Sequence, residues 1–228
     1  MRLTPLVALG GVAFALYVLI LRPWQLRWGA TEVEVRRRLP GDEVVAQPMV
    51  AATRAVTIAA TPAEIWPWLA QMGGYTRAGW YSYDRFDNAG RPSADRLIPE
   101  LQRVAVGDVF LTSPDEGFTV REFEVHRYLL LVIDTEGGVI SSLMYLEAVD
   151  GTHTRLIARL RAYFPPRLMP TLFGLMFDPG DFVFMRKTML GIKQRAERSA
   201  RGGAWDAEVT VRKGTLWRRA SGHDNAAP

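Results

Sequence analysis

From Leu3 to Leu21 the chain carries no charged side chain, and only Thr4 is conventionally polar. As a helix these residues would span roughly 28 Å, close to the hydrocarbon thickness of a bilayer. Pro5 falls in the first turn, where its missing N–H is harmless. Trp24 and Trp28 follow the run, in the manner of interfacial aromatics. A cleaved signal peptide would carry a shorter apolar run and a small-x-small site, and Trp28-Gly29-Ala30 is a poor candidate for one. The segment reads as an uncleaved anchor over residues 1–22. Mean hydropathy near zero (−0.01) excludes a polytopic membrane protein.

Charge is unevenly placed. The net charge is +4 over 228 residues. Residues 1–38 hold Arg2, Arg22, Arg27, Arg36, Arg37 and Arg38 against Glu32 and Glu34, which accounts for all of it. The excess therefore sits beside the anchor, where anionic headgroups would attract it. A nucleic-acid footprint would put basic charge on the folded body, so nucleic acid is not an expected partner. More positive charge follows the apolar run than precedes it, and the positive-inside rule puts the C-terminal side in the cytoplasm. The expected location is a single-pass protein of the cell membrane.

Residues 23–52 read as a juxtamembrane connector with a Pro40-Gly41 turn, partly packed through Val33, Val35, Val44, Val45, Met49 and Val50. A folded domain is expected over 53–200. It opens with a strand at 54–59. A helix follows, capped by Thr61-Pro62-Ala63-Glu64, kinked at Pro67, stopped by Gly73-Gly74 and apolar at Ile65, Trp66, Leu69 and Met72. Strands are expected near 104–112, 118–126, 128–134, 139–148 and 153–163, with turns at Gly137-Gly138 and Asp150-Gly151. The last strand alternates: Thr154, Leu156, Ala158, Leu160 and Ala162 on a buried face, Arg155, Arg159 and Arg161 on a wet one. Residues 164–177 are apolar and broken by Pro165, Pro166 and Pro170. A long helix is expected from Asp178-Pro179, with a stripe of Phe182, Met185, Met189, Ile192 and Ala196. Residues 201–228 read as a disordered tail.

The chain has no cysteine, which excludes disulfides, cysteine nucleophiles and thiolate metal sites. His126, His153 and His223 show no ligand spacing, so no metal is expected. There is no G-x-S-x-G elbow around Ser82 or Ser113 and no phosphate loop, so no cofactor is expected and no catalytic residue can be named. Glu122 and Glu124 share a strand face and read as solvent-facing. The aromatic stretch Trp80, Tyr81, Tyr83, Phe86 with Asp84 serves either as core or as a pocket wall with a few placed polar groups.

Thr61-Pro62-Ala63-Glu64-Ile65-Trp66-Pro67-Trp68-Leu69 resembles the opening of the START/Bet v 1-like superfamily, also called SRPBCC or polyketide cyclase/dehydrase-like. Gln71-Met72-Gly73, Gly79-Trp80-Tyr81-Ser82-Tyr83-Asp84 and the segment from Met185 to Lys193 resemble its bacterial membrane-attached members. The resemblance implies an α+β helix-grip fold, a curved antiparallel sheet around a long C-terminal helix, with an apolar cavity between them. Trp80, Tyr81, Tyr83, Asp84, Leu143, Tyr145, Phe182, Met185 and Met189 are the candidate lining. Leu168, Phe173 and Met176 are candidates for a lip facing the membrane. The implied function is binding or carrying an apolar, lipid-like small molecule, with membrane lipid as a second partner. The alternatives are a cyclase or dehydratase acting on a hydrophobic substrate and an interaction module without ligand. A reporter fused after Pro228 should read out cytoplasm; a signal from the opposite side of the membrane would refute the orientation.

Overall fold

The structure is a computed structural model that describes the backbone of residues 4–164 and 170–202 and the side chains of 9–164 and 177–202. Leu168 and the tail beyond 202 lie outside the described residues, as do the side chains of Phe173 and Met176.

Helix α1 (Thr4–Leu16) runs through a π-helical turn (Tyr17–Leu21) into α2 (Arg22–Leu26). The π turn falls where Pro23 has no N–H to offer the carbonyl one turn earlier. The run from Leu9 to Leu26 is long and apolar enough to cross a membrane. Its large side chains stand away from the protein: Leu9, Val12, Phe14, Leu16, Leu19 and Ile20 are all more than half exposed. A short helix, α3 (Glu32–Arg36), follows, closed by a capping box in which Thr31 and Glu34 exchange hydrogen bonds.

Strand β1 (Val50–Ile58) leads into α4 (Pro62–Gln71). The α4 start is the expected capping box: Thr61 Oγ1 accepts from the Glu64 N–H at 3.4 Å, and the Thr61 N–H donates to Glu64 Oε2 at 2.7 Å. Pro67 lies inside the helix, which continues to Gln71. The chain then turns at Gly73, whose φ of +123° is open to glycine at little steric cost. A long excursion containing α5 (Asp84–Asp87) returns to the sheet through β2 (Val109–Leu111), β3 (Gly117–Glu124), β4 (Tyr128–Thr135), β5 (Gly138–Ala148) and β6 (Thr154–Tyr163). All pairings are antiparallel, in the order β1-β6-β5-β4-β3-β2. Helix α6 (Pro170–Gly202) closes the chain. The architecture is α+β and of helix-grip type. Met189, Ile192 and Ala196 of α6 join Ile58, Leu69, Met144 and Leu156 in the main core.

Three expectations need correction. The first strand of the 104–112 segment shortens to Val109–Leu111, because Asp108 folds back to accept the Ala105 N–H at 2.8 Å and makes a turn. Helix α6 starts at Pro170 rather than at Asp178. Pro170 sits at the first position, where a proline forfeits nothing. Pro179 lies between two anchored carboxylates: Arg22 Nε meets Asp178 Oδ2 at 2.6 Å, and Arg54 Nη1 meets Asp181 Oδ2 at 2.6 Å. Tertiary contacts on both sides of the proline hold a helix that local propensity alone would break.

The third correction concerns the arginine face of β6, which is covered rather than wet. Residues 29–46 lie across it. Arg159, only 6% exposed, donates to the carbonyls of Glu34 (2.6 Å), Val35 (3.1 Å) and Arg37 (2.8 Å), to Asp42 Oδ2 (2.8 Å) and to Thr53 Oγ1 (3.1 Å). Arg155 pairs with both oxygens of Glu34, and Arg161 reaches the carbonyls of Val45 and Ala46. Burial alone would raise the Glu34 carboxyl, but its bonds to Arg155 and Thr31 outweigh that and hold it below the usual range. Between the arginines, Leu39 packs on Leu130, Leu143 and Ile157 as a second apolar layer. The sheet is thus buried on both faces over β6 and the middle of β5. Arg159→Ala should destabilise the full chain by about 3–5 kcal/mol, because it strands Asp42 and three carbonyls. Arg36→Ala, on an exposed side chain, should change chemical denaturation by less than about 0.5 kcal/mol.

Candidate ligand cavity

Between the inner face of the sheet and α6 lies a cavity of about 240 Å³. Its sheet side is made by Phe118, Ser142, Met144 and Leu160. Its helix side is made by Asp181, Phe184, Met185 and Thr188, and Trp80, Asp87 and Thr112 close the flank. The walls are mostly apolar, with hydroxyls and two carboxyls at chosen points.

The flank depends on the excursion between α4 and β2, which is braced by polar side chains. Gln71, fully buried, donates to the Arg96 carbonyl at 3.1 Å and accepts from the Ile98 N–H at 2.9 Å. Asn88 Oδ1 accepts from the Tyr75 N–H at 2.8 Å, and its Nδ2 donates to the Arg91 carbonyl at 2.7 Å. Trp80 is oriented by donation from Nε1 to the Leu111 carbonyl at 2.8 Å, which sets its ring edge-on to Phe118. Helix α6 can approach this excursion because Gly191 has no side chain: a Cβ there would lie 2.4 Å from the Tyr81 carbonyl oxygen.

The two carboxyls differ in support. Asp181 is almost fully buried, and its partner Arg54 also donates from Nε to the Gln25 carbonyl at 2.8 Å. Burial pushes the Asp181 carboxyl up, against the downward pull of Arg54. Asp87 ends α5. Its Oδ1 is buried without a hydrogen-bond partner. Burial first, and the neighbouring Asp84 second, raise its carboxyl above the ordinary value of 3.8.

Of the residues singled out from the sequence, Trp80 and Met185 line this cavity. Tyr81 and Met189 are core. Tyr81 donates its hydroxyl to the Trp68 carbonyl at 3.1 Å beneath Arg195, and burial pushes that hydroxyl up. Tyr83 is exposed, edge-on to Phe184, and Asp84 is a brace that accepts from the Ser93 N–H at 2.8 Å. Phe182 lies outside the cavity against Trp24, Trp28 and Arg54. Leu143 and Tyr145 occupy the opposite face of the sheet, packed with Leu39 and Arg37. On β5 it is Ser142 and Met144 that point inward, so assigning the odd positions to the cavity was a one-residue error of face. Asp87, Thr112, Phe118, Leu160, Asp181, Phe184 and Thr188 were missed. The only local hint was aspartate set among apolar residues, at Phe86-Asp87 and at Asp181-Phe182.

The remaining candidates sit apart. Ser82 Oγ donates to the Phe184 carbonyl, and Ser113 belongs to the turn at Glu116. Glu122 and Glu124 are exposed. Glu122 accepts from the Tyr128 hydroxyl, and this bond pushes Tyr128 up to about 12. His126 stands edge-on to Trp66, while the His153 backbone N–H donates to Asp150 Oδ1 at 2.7 Å within the Asp150 turn. His223 lies outside the described residues. Among the described residues, no group of three or more histidines and carboxylates is placed to hold a metal ion.

No family model matches the chain, and no curated protein matches it. Solved structures do. The Zhui aromatase/cyclase from Streptomyces sp. R1128 is 17% identical, with 68% of this chain and 99% of that one covered and a TM-score of 0.41. A protein from Mesorhizobium loti is 16% identical, covering 66% and 98%, with a TM-score of 0.38. A protein from Arthrobacter aurescens is 15% identical, covering 73% and 94%, with a TM-score of 0.41. These scores are low, and the fold assignment above stands on this chain's own strand order and register.

A carboxyl raised by folding favours the folded state below its unfolded pKa and loses that contribution as pH rises through the folded value. Asp87 therefore weakens the fold at neutral pH. Asp87→Asn should raise the melting temperature at pH 7, and the gain should vanish as pH falls toward 3.8. A gain that is constant with pH would show that ionisation of Asp87 is not its source.

Proposed function

We propose that this chain is a membrane-tethered domain that binds a small apolar or amphipathic molecule between its sheet and its C-terminal helix. The observation that carries the proposal is the cavity itself: largely apolar walls at the helix–sheet interface, with two carboxyl groups and the Ser142, Thr112 and Thr188 hydroxyls placed to orient a polar end. Ligand sites commonly combine an apolar lining with a few polar groups. The volume of about 240 Å³ lies below the usual range of roughly 300–1,000 Å³, which favours a small ring system or part of an acyl chain over a whole lipid.

The tether is supported by the apolar helix, whose side chains are exposed among the described residues and which matches a bilayer in length. The positive flank supports a cytoplasmic domain.

One observation favours a second reading, a cyclase-like enzyme. Raised carboxyls inside an apolar site are suited to acid or base work, and Asp87 and Asp181 are both of that kind. The two readings separate on turnover of a hydrophobic substrate.

Ser142→Phe would project a ring into the cavity from the middle of β5. In the full chain, it should reduce binding of an apolar fluorescent probe by about tenfold or more while leaving the melting temperature equal or higher, since the added ring fills space. Probe affinity equal to that of the parent chain would remove this cavity as the binding site.

A further inference from the structure

Two groups of aromatic rings flank the outward side of α6, one of them beside the end of the apolar helix. Trp24, in α2 at the end of the apolar helix, meets Phe182 with ring centroids 5.3 Å apart. On the other flank of α6, Phe184 meets Tyr83 at 5.5 Å and Phe86 at 6.4 Å. Val183 lies between Phe182 and Phe184 in the chain and is exposed. This surface is conspicuously uncovered: Phe86 is 71% exposed, Trp24 52%, Val183 44% and Tyr83 41%. Exposed Arg85, Arg186 and Lys187 stand beside it, Arg186 with its guanidinium 5.0 Å from the Trp28 ring centre.

We infer that this belt is an interfacial docking surface that seats the domain on an anionic bilayer, with the wall of the cavity at headgroup depth. Three observations select a lipid surface as the occupant. Trp24 belongs to the same helical run as Leu16, Leu19 and Ile20, so a chain inserted by that run has Trp24 at the lipid boundary and Phe182 in contact with it. Aromatic rings favour that boundary, where one edge is wet and the other apolar. Basic side chains beside them match the negative surface potential of anionic lipids. The belt also adjoins the cavity: Phe184 is common to both, and Phe86 directly precedes the lining residue Asp87. Docking there would let a ligand pass between bilayer and cavity without crossing bulk water.

The inference rests on the tether in the proposed function, and its test separates the two. The chain has no cysteine, so single cysteines can carry a nitroxide in the full protein without further change. Labels at Phe86→Cys, Val183→Cys, Leu19→Cys and the distant Val125→Cys would be read in vesicles of phosphatidylcholine and phosphatidylserine, using oxygen as the apolar collider and a nickel chelate as the aqueous one. The expected result is loss of nickel collisions at positions 86 and 183 together with position 19, and full aqueous access at position 125. Lipid exposure at 19 with aqueous access at 86 and 183 would overturn the docking and leave the tether intact. Aqueous access at position 19 as well would overturn both.

Discussion

The ion pair between Arg54 and Asp181 holds the rest of this structure in place. Arg54 is 1% exposed in the middle of β1, on the inner face of the sheet, where a cation without a partner would be expelled. It is tolerated because three groups from two helices converge on it. Asp181 comes from α6, the Gln25 carbonyl from α2, and the Phe182 ring lies with its centre 5.5 Å from the guanidinium. Such a pair contributes little net stability, since desolvation offsets most of the attraction, but breaking it would be severe. Its effect is on arrangement. It fixes α6 against β1, brings the end of the apolar N-terminal helix to both, and presents Asp181 to the cavity. One turn earlier on α6, Asp178 repeats the device with Arg22.

The outer face obeys the same rule with a different partner. Three arginines at alternate positions of β6 form a row that matches the carbonyls and carboxylates of residues 29–46, and Arg37 returns the contact with a bidentate pair to Glu147 on β5. Guanidinium groups suit this because each can satisfy several acceptors in one plane. A segment with little regular structure is thereby bound firmly to a sheet, and the apolar side chains between the arginines become a second core.

That covering explains what was legible in the sequence and what was not. The Thr61–Glu64 capping box, the turns at Gly137 and Asp150 and the α6 stripe from Met185 to Ala196 are local patterns, and each appears where its residues stand; Phe182, expected on that stripe, packs instead against Trp24, Trp28 and Arg54. The inner face of β6 was equally plain, because small and apolar residues alternate with arginine. The outer face was misjudged because charge was equated with water. β5 offered no alternation at all: from Ser141 to Leu146 it is almost wholly buried, since one side meets the cavity and core while the other meets residues 29–46. A strand buried on both faces gives no period from which to choose a side, so Leu143 and Tyr145 could not be told from Ser142 and Met144. Asp87 and Asp181 lie 94 positions apart and meet only through the fold, which no local pattern could anticipate.

A flexible leash would raise the local concentration of a domain near a membrane without fixing which side faces it. This chain is built otherwise. Within six residues of Leu19 and Ile20 the helix is clamped by Arg22 to α6 and by the Gln25 carbonyl to Arg54, and the chain that follows is fastened to the back of the sheet through Glu34, Arg37 and Asp42. The apolar helix is thus joined to the same helix that roofs the cavity, at Asp178, one turn before Asp181 and two before Met185. Rotation of the domain about the apolar helix would have to break buried charge pairs rather than swing a loop. The orientation of the cavity relative to the apolar helix is therefore a property of the fold, set by the same carboxylates that keep a proline-containing helix intact.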